Sequence, residues 1–406
     1  MAAKAAKAAA ATTILFFLSL FASPIAGEPL NFSGYYNFND PSPSDTLYDG
    51  FLLALPRVSS NSGNLRKNPG PPVLLLHGLF VLFLLRNWLL LTSLFASHKQ
   101  AGDSWFLNSP EESLGFILAD HGFDVWVGNV RGTRWSQRHV SLSVKDKDFW
   151  DWSWQELALH DLPAMLRYVN SVTNSKVFVV GHSQGTLMSL AGFTQRDIAE
   201  MVEAAGLLSP VGYLGHISSE LILDMVNLHL DQACLFLVSI LLSSIEIGES
   251  PFRVIFILLF HNMSVYWRNC CFNNSRVDFY LEFEPHPSST KNLNHLFQMI
   301  RKDTFSKYDY GVFKNLMLYG QLKPPEFQIG DIPISLPLWI AYGGKDALAD
   351  VTDVERAIKE LKSTPDLVFL EKYGHLDFIV SVNAKEDMYD SLISFFKSRE
   401  KSSSFK

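Results

Sequence analysis

Lys176-Val177-Phe178-Val179-Val180-Gly181-His182-Ser183-Gln184-Gly185-Thr186 is the stretch whose reading decides the fold. A run of β-branched and aromatic residues ends on Gly-x-Ser-x-Gly and passes into a helix-compatible segment, residues 187–195. Strand, sharp turn and helix in that order are the context in which this motif becomes a nucleophile elbow. The turn is strained so that the serine hydroxyl projects clear of the sheet. Gly181 and Gly185 leave room for strand and helix to approach closely, and the helix N-terminus brings a positive dipole end near any developing oxyanion. Outside that context the five residues are an ordinary turn. Within it, Ser183 is the candidate nucleophile.

Working outward, the chain has 406 residues, 48% hydrophobic and 18% charged, which suits one large α/β core with an inserted subdomain. A net charge of −7 gives no sign of nucleic-acid binding. The cysteines, Cys234, Cys270 and Cys271, form an odd set with two adjacent, so they predict neither a disulfide framework nor a spaced metal site. Residues 1–27 contain no acidic residue, and Lys4 and Lys7 precede an apolar run at 14–22. Residues 1–26 therefore read as a secretory signal peptide, with an organellar transit peptide as the alternative. The run is short for a membrane anchor. Asn-x-Ser sequons at Asn31, Asn262 and Asn273 suit a glycoprotein that is secreted or delivered to a vacuole.

Residues 48–58 alternate as a strand does, and 72–77 read as a buried strand running into His77-Gly78-Leu79-Phe80. Residues 108–122 predict a helix with Ser109 as cap, Pro110 at its first position and Glu111 and Glu112 in its first turn. Residues 123–130 are a strand leading to Arg131-Gly132-Thr133. Residues 154–171 are amphipathic at helical spacing, and 204–209 form another apolar run. Strands alternating with helices predict the α/β class: a mostly parallel sheet flanked by helices. After Pro210 the texture turns apolar at 221–260, then polar with aromatics at 273–323. Residues 211–332 are thus expected to form a mainly helical cap. Strands at 336–342 and 367–371 and a helix at 385–397 complete the core, which comprises 27–210 and 333–397. Residues 398–406 form a tail.

A serine hydroxyl needs a base, and the base needs a third group to fix its tautomer. In the α/β-hydrolase fold these follow in the order Ser, acid, His, each on a loop after a strand. Asp346 follows 336–342 through Gly343-Gly344-Lys345, and His375 follows 367–371 through Lys372-Tyr373-Gly374. Of the twelve histidines, His375 alone lies beyond the last strand. Asp350 and Asp353 fall where the next helix starts and read as caps. Asp377 reads as a charge at a helix start or on the surface. His182 is read as a packed or substrate-facing neighbour, and His160, His216, His229 and His295 as structural or solvated. His77 is either part of an oxyanion loop or a satisfied histidine at a strand end.

Asp103-Ser104-Trp105-Phe106-Leu107-Asn108, Leu114-Gly115-Phe116-Ile117-Leu118-Ala119-Asp120 and Asp124-Val125-Trp126-Val127-Gly128-Asn129-Val130-Arg131-Gly132 closely resemble the acid lipase family. So do the elbow and Tyr373-Gly374-His375. The family includes gastric and lysosomal acid lipases, and the chain looks most like its plant triacylglycerol lipase branch over about residues 101–225 and 270–397. The resemblance implies an α/β-hydrolase with a helical cap that hydrolyses neutral lipid esters at a lipid–water interface. It implies Ser183, Asp346 and His375 as triad, the backbone N–H groups of Leu79 and Gln184 as oxyanion donors, and no metal or organic cofactor.

Three stretches depart from the family. Residues 81–100, rich in Leu, Phe and Val, are an insertion directly after the oxyanion loop. With the preceding strand they are long enough to span a bilayer, but Arg86 inside the run argues against it. The N-terminal approach lacks the family's cysteine, and residues 235–269 match poorly, with no cysteine partner ahead of Cys270-Cys271. The alternatives are a sterol-ester or small-ester hydrolase, an acyltransferase, or a non-catalytic relative disabled by the insertion.

Overall fold

The apolar runs at 72–77 and 177–182 become strands whose residues are buried on both faces. The computed structural model describes residues 37–39, 49–59, 70–79, 102–229, 270–271, 276 and 287–400. These lie in the compact unit Asn37–Lys406, and the other unit, Met1–Tyr36, is outside them. Also outside are the expected signal peptide, the three sequons, the 81–100 insertion, most of 230–286 and the last six residues of the tail.

The strands are β1 (Asn37–Asn39), β2 (Phe51–Leu52), β3 (Arg57–Ser59), β4 (Pro72–Leu76), β5 (Asp124–Gly128), β6 (Arg138–His139), β7 (Val177–Ser183), β8 (Val202–Pro210), β9 (Leu338–Gly343) and β10 (Asp366–Leu370). One sheet has the order β1-β3-β5-β4-β7-β8-β9-β10, and β2 pairs with β6 separately. From β5 to β10 neighbours run parallel, while β1 and β3 are antiparallel at one edge. Every residue of β4 and β5 is buried, as a sheet covered on both faces requires. Each fully buried Leu or Val there contributes about 1.5–3 kcal/mol.

The helices begin with α1 (Leu114–Asp120), followed by α2 (Leu162–Thr173), α3 (Gln184–Phe193) and α4 (Arg196–Ala199). Next come α5 (Glu220–Asn227), α6 (Thr290–Lys302) and α7 (Val312–Tyr319). The last three are α8 (Val351–Glu360), α9 (Asp377–Val380) and α10 (Asp390–Arg399). The helical stretch expected at 154–171 is present, opened by a capping box between Ser153 and Glu156. A π-helical turn, Leu157–Asp161, interrupts it just before Pro163. Proline has no N–H to give to an α-helical ladder, so the register slips ahead of it.

Three expectations need correction. The strand at 48–58 is two strands, β2 and β3, because the chain changes sheets across Leu53–Pro56 and pairs with β6 before it reaches β5. The helix at 108–122 is only α1. Ser109 O accepts from Glu112 N and Ser113 N, closing one turn that stops there, and Ser113 then takes extended backbone before the helix starts. The helix then packs closely on the segment before it: a Cβ at Gly115 would lie 2.2 Å from the Phe106 ring. The tail at 398–406 is also shorter than expected, since α10 continues to Arg399.

Candidate active site

The elbow forms as the motif demands. Ser183 ends β7 with φ 53° and ψ −119°, and α3 starts at the next residue. A side chain at Gly185 would meet the Leu76 carbonyl at 2.2 Å, and one at Gly181 would meet Gly185 backbone at 2.8 Å, so both positions need glycine for close approach. The helix thereby starts three residues earlier than 187.

The strands β9 and β10 then deliver the other two groups. Ser183 Oγ lies 2.8 Å from His375 Nε2. His375 Nδ1 lies 2.9 Å from Asp346 Oδ2 and 3.1 Å from Oδ1. Asp346 Oδ1 also accepts from Leu348 N and Ala349 N, each at 2.9 Å. Burial opposes ionisation of Asp346, but the charge and hydrogen bond of His375, with those of Ser209 and Leu348, outweigh it and hold its carboxyl below the usual range. The three residues expected to meet are therefore brought together: a base between a hydroxyl and an ionised acid.

Gln184 and Gly78, the residue before Leu79, approach Ser183 from two sides. Gln184 follows it at the start of α3, and the segment carrying Leu79 presses on it so tightly that a Cβ at Gly78 would lie 2.9 Å from Ser183 Cβ. His77 is buried, with Nδ1 2.8 Å from Gly78 O. Phe80 lies outside the described residues. His182 is packed rather than exposed: its Nε2 sits 2.9 Å from His375 O, and desolvation, aided by the neighbouring His375, pushes its pKa to about 3.

Of the rivals, Asp350 caps α8 by accepting from Thr352 N at 2.8 Å, as expected. Asp353 is not a cap. It is buried and binds His216 through N and Nδ1 at 2.8 and 2.7 Å. His295 is structural, buried against Trp154 at 4.5 Å and held between Ser153 Oγ and Ser306 O. Asp377 does begin a helix, α9, but the surface reading is wrong: it is fully buried. Its carboxylate accepts from Gly374 N at 2.7 Å, Cys270 N at 2.9 Å and Cys271 N at 3.4 Å. Cys270 and Cys271 are bonded to each other, which the absence of a framework pattern did not foretell.

Three contacts were missed. Ser209, at the end of β8, donates to Asp346 Oδ2 and lies 2.8 Å from His375 Nδ1. Asn292 of α6 donates to the Gln184 side chain at 2.7 Å. Arg131 is buried and paired with Asp161 and Asp49, tying the end of β5 to the helical stretch before the elbow. Arg131 stands out in the sequence as the residue after the 123–130 strand, whereas nothing local marks the contacts of Ser209 and Asn292. Among the described residues no acidic, His or Cys group could hold a metal ion.

The family model for the alpha/beta hydrolase fold matches residues 71–210. Triacylglycerol lipase 1 of Arabidopsis thaliana is 53% identical over 91% of this chain and 90% of its own length. Lysosomal acid lipase/cholesteryl ester hydrolase of Homo sapiens is 32% identical over 89% of each. A crystal structure of a soluble variant of monoglyceride lipase from Saccharomyces cerevisiae is similar at a TM-score of 0.52 and 14% identity, covering 94% of this chain and all of that one, a likeness of fold.

Proposed function

Because the chain belongs to the acid lipase family of α/β-hydrolases, we propose that it is a serine lipase cleaving the carboxylic esters of neutral lipids, triacylglycerols foremost. The observation that carries this is the unbroken hydrogen-bonded chain from Ser183 Oγ through His375 to Asp346. His375 Nε2 takes the Ser183 proton as Oγ attacks the ester carbonyl. The tetrahedral oxyanion is received by the N–H groups of Leu79 and Gln184. His375 then returns the proton to the departing alkoxide, leaving an acyl-enzyme. Water, deprotonated by the same ring, attacks the acyl carbonyl, and Ser183 leaves as its hydroxyl.

The described helices of 211–332 belong to a cap, supported by the contact of Asn292 with Gln184. Ile222, Met225 and Val226 of α5 pack on Leu293 and Phe297 of α6, so packing is their role. The surface offered to a lipid–water interface is α7 and its end, where Phe313, Met317 and Leu322 are exposed. The secretory pathway, with a secreted or vacuolar destination, is supported by the basic-then-apolar N-terminus and by the glycosylation sequons at Asn31, Asn262 and Asn273. Among the described residues no helix is long and apolar enough to cross a membrane.

Ser183→Ala tests the reading. It should abolish hydrolysis of triolein emulsion and of a soluble short-chain ester while keeping the native circular dichroism. A serine-directed phosphonate should label the wild type and spare the variant. Labelling of another serine, with Ser183 untouched, overturns the assignment. Phe313→Asp/Met317→Asp should lose emulsion activity and keep the soluble activity. Equal loss on both substrates removes the interfacial role of α7.

A further inference from the structure

We propose that Ser209 is a positioning residue of the catalytic chain, a second hydroxyl that holds Asp346 and His375 in register; the proposal rests on the triad assigned above. Ser209 is fully buried and one of few described non-glycine residues with positive φ, 51°. A non-glycine residue in the left-handed region persists when its surroundings over-determine it, and such residues gather at functional sites. Val211 N donates to Thr186 Oγ1 at 2.8 Å, and Thr186 Oγ1 donates to Ser183 O, so the chain just after Ser209 is tied to the elbow. The β7–β8 register shifts by one residue at this place, pairing His182 with Leu208 but Ser183 with Pro210. Ser209 is the residue skipped, and its side chain is turned toward the acid and the base.

The hydroxyl does two things there. Its proton goes to Asp346 Oδ2, and its oxygen lies 2.8 Å from His375 Nδ1. The Asp346 carboxylate is thus surrounded by two backbone N–H donors on Oδ1 and by Ser209 and His375 on Oδ2. The Nδ1–H of His375 has the carboxylate and the Ser209 oxygen as acceptors, which fixes the tautomer that leaves Nε2 free to accept the Ser183 proton. Removing the hydroxyl leaves Asp346 Oδ2 with a donor fewer and lets carboxylate and ring turn. Ser209 touches no substrate in this scheme, so its loss should appear in turnover and not in binding.

The backbone strain supplies the discriminating experiment. Ser209→Ala removes the hydroxyl and keeps the strain, whereas Ser209→Gly removes both, because glycine accepts positive φ freely. Both variants and the wild type are assayed on a soluble short-chain ester, with thermal unfolding in parallel. The expected result is a fall of about tenfold in kcat for both variants, with KM within about twofold of wild type. Ser209→Gly should unfold at or above the temperature of Ser209→Ala and gain no activity from it. Wild-type kcat in Ser209→Gly overturns the proposal, as does a loss confined to KM. If Ser209→Ala does not fold, Ser209→Gly alone decides. Ser183→Ala is run beside them: if it stays active the triad reading falls, and if it is inactive while Ser209→Gly is unimpaired, only the role of Ser209 falls.

Discussion

Two buried carboxylates stand beside the His375 loop, and they are built in opposite ways. Asp346 comes from the turn after β9 and meets the side chains of His375 and Ser209, together with two backbone amides. Asp377 comes from the start of α9 and meets backbone amides, from Gly374 on its own loop and from Cys270 and Cys271 far back in the chain. Burial works against both charges. At Asp346 the neighbouring His375 and Ser209 overcome it and the pKa is lowered; at Asp377 burial prevails over its hydrogen bonds and the pKa is raised. The same side chain is an electrostatic partner in one place and a clamp in the other, and the difference lies in whether its donors belong to a titrating ring or to the main chain.

The sharpest way to break this comparison is to neutralise each acid in turn. Asp346→Asn should lower kcat by about 10⁴-fold, because an amide no longer stabilises the right tautomer and the imidazolium. Steady-state kinetics on a soluble ester checks it, and a loss below about tenfold would move the acid elsewhere. Asp377→Asn should cost about 2 kcal/mol of stability and about tenfold in kcat, since it loosens the loop without touching the proton path.

The pH dependence of stability separates the two further. A raised pKa means the native state binds the extra proton, so the contribution of Asp377 is full below its unfolded value near 3.8 and is lost as pH rises through the folded value. The deficit of Asp377→Asn against wild type should therefore shrink as pH rises above about 4. A lowered pKa gives Asp346 the reverse: its contribution is present above 3.8 and lost as pH falls through the folded value. The deficit of Asp346→Asn should then grow as pH rises toward 3.8. Urea unfolding from below to above pH 3.8 reads both, and parallel slopes would refute the contrast. The smallest effect is expected at Asp350, a cap on the same turn. Asp350→Ala should cost about 1 kcal/mol in urea unfolding and leave kcat unchanged.

Sequence made Asp346 legible and left Asp377 obscure for a physical reason. Asp346, His375 and Ser183 each follow an apolar strand and a glycine-containing turn, so local punctuation alone placed them at the same end of the sheet. Gly374 N holds Asp377 locally, but the other two donors, Cys270 N and Cys271 N, come from more than a hundred residues earlier in the chain. Nothing within a few residues of Asp377 announces that. Ser209 was invisible in the same way, since a serine closing an apolar run gives no hint that a register shift will turn it toward Asp346. Ser109 shows the opposite failure: a sound local cap signal that closes a single turn, which extended backbone at Ser113 then interrupts. Periodicity and caps describe neighbours in sequence, and these residues are decided by neighbours in space.

The separation of 192 residues between Ser183 and its base has a consequence for how the molecule is made. Synthesis runs from the N-terminus, so β4, β5 and β7 and the elbow they support are available while the ribosome still has β9 and β10 to produce. Until those strands arrive, Ser183 has no imidazole ring within reach of its proton. On the proposed mechanism, ester cleavage therefore waits until the strands that carry Asp346 and His375 have docked beside β8. A hydrolase assembled in this order cannot attack the lipids it meets while it is half-made, and the appearance of its activity reports that the last strands are in place.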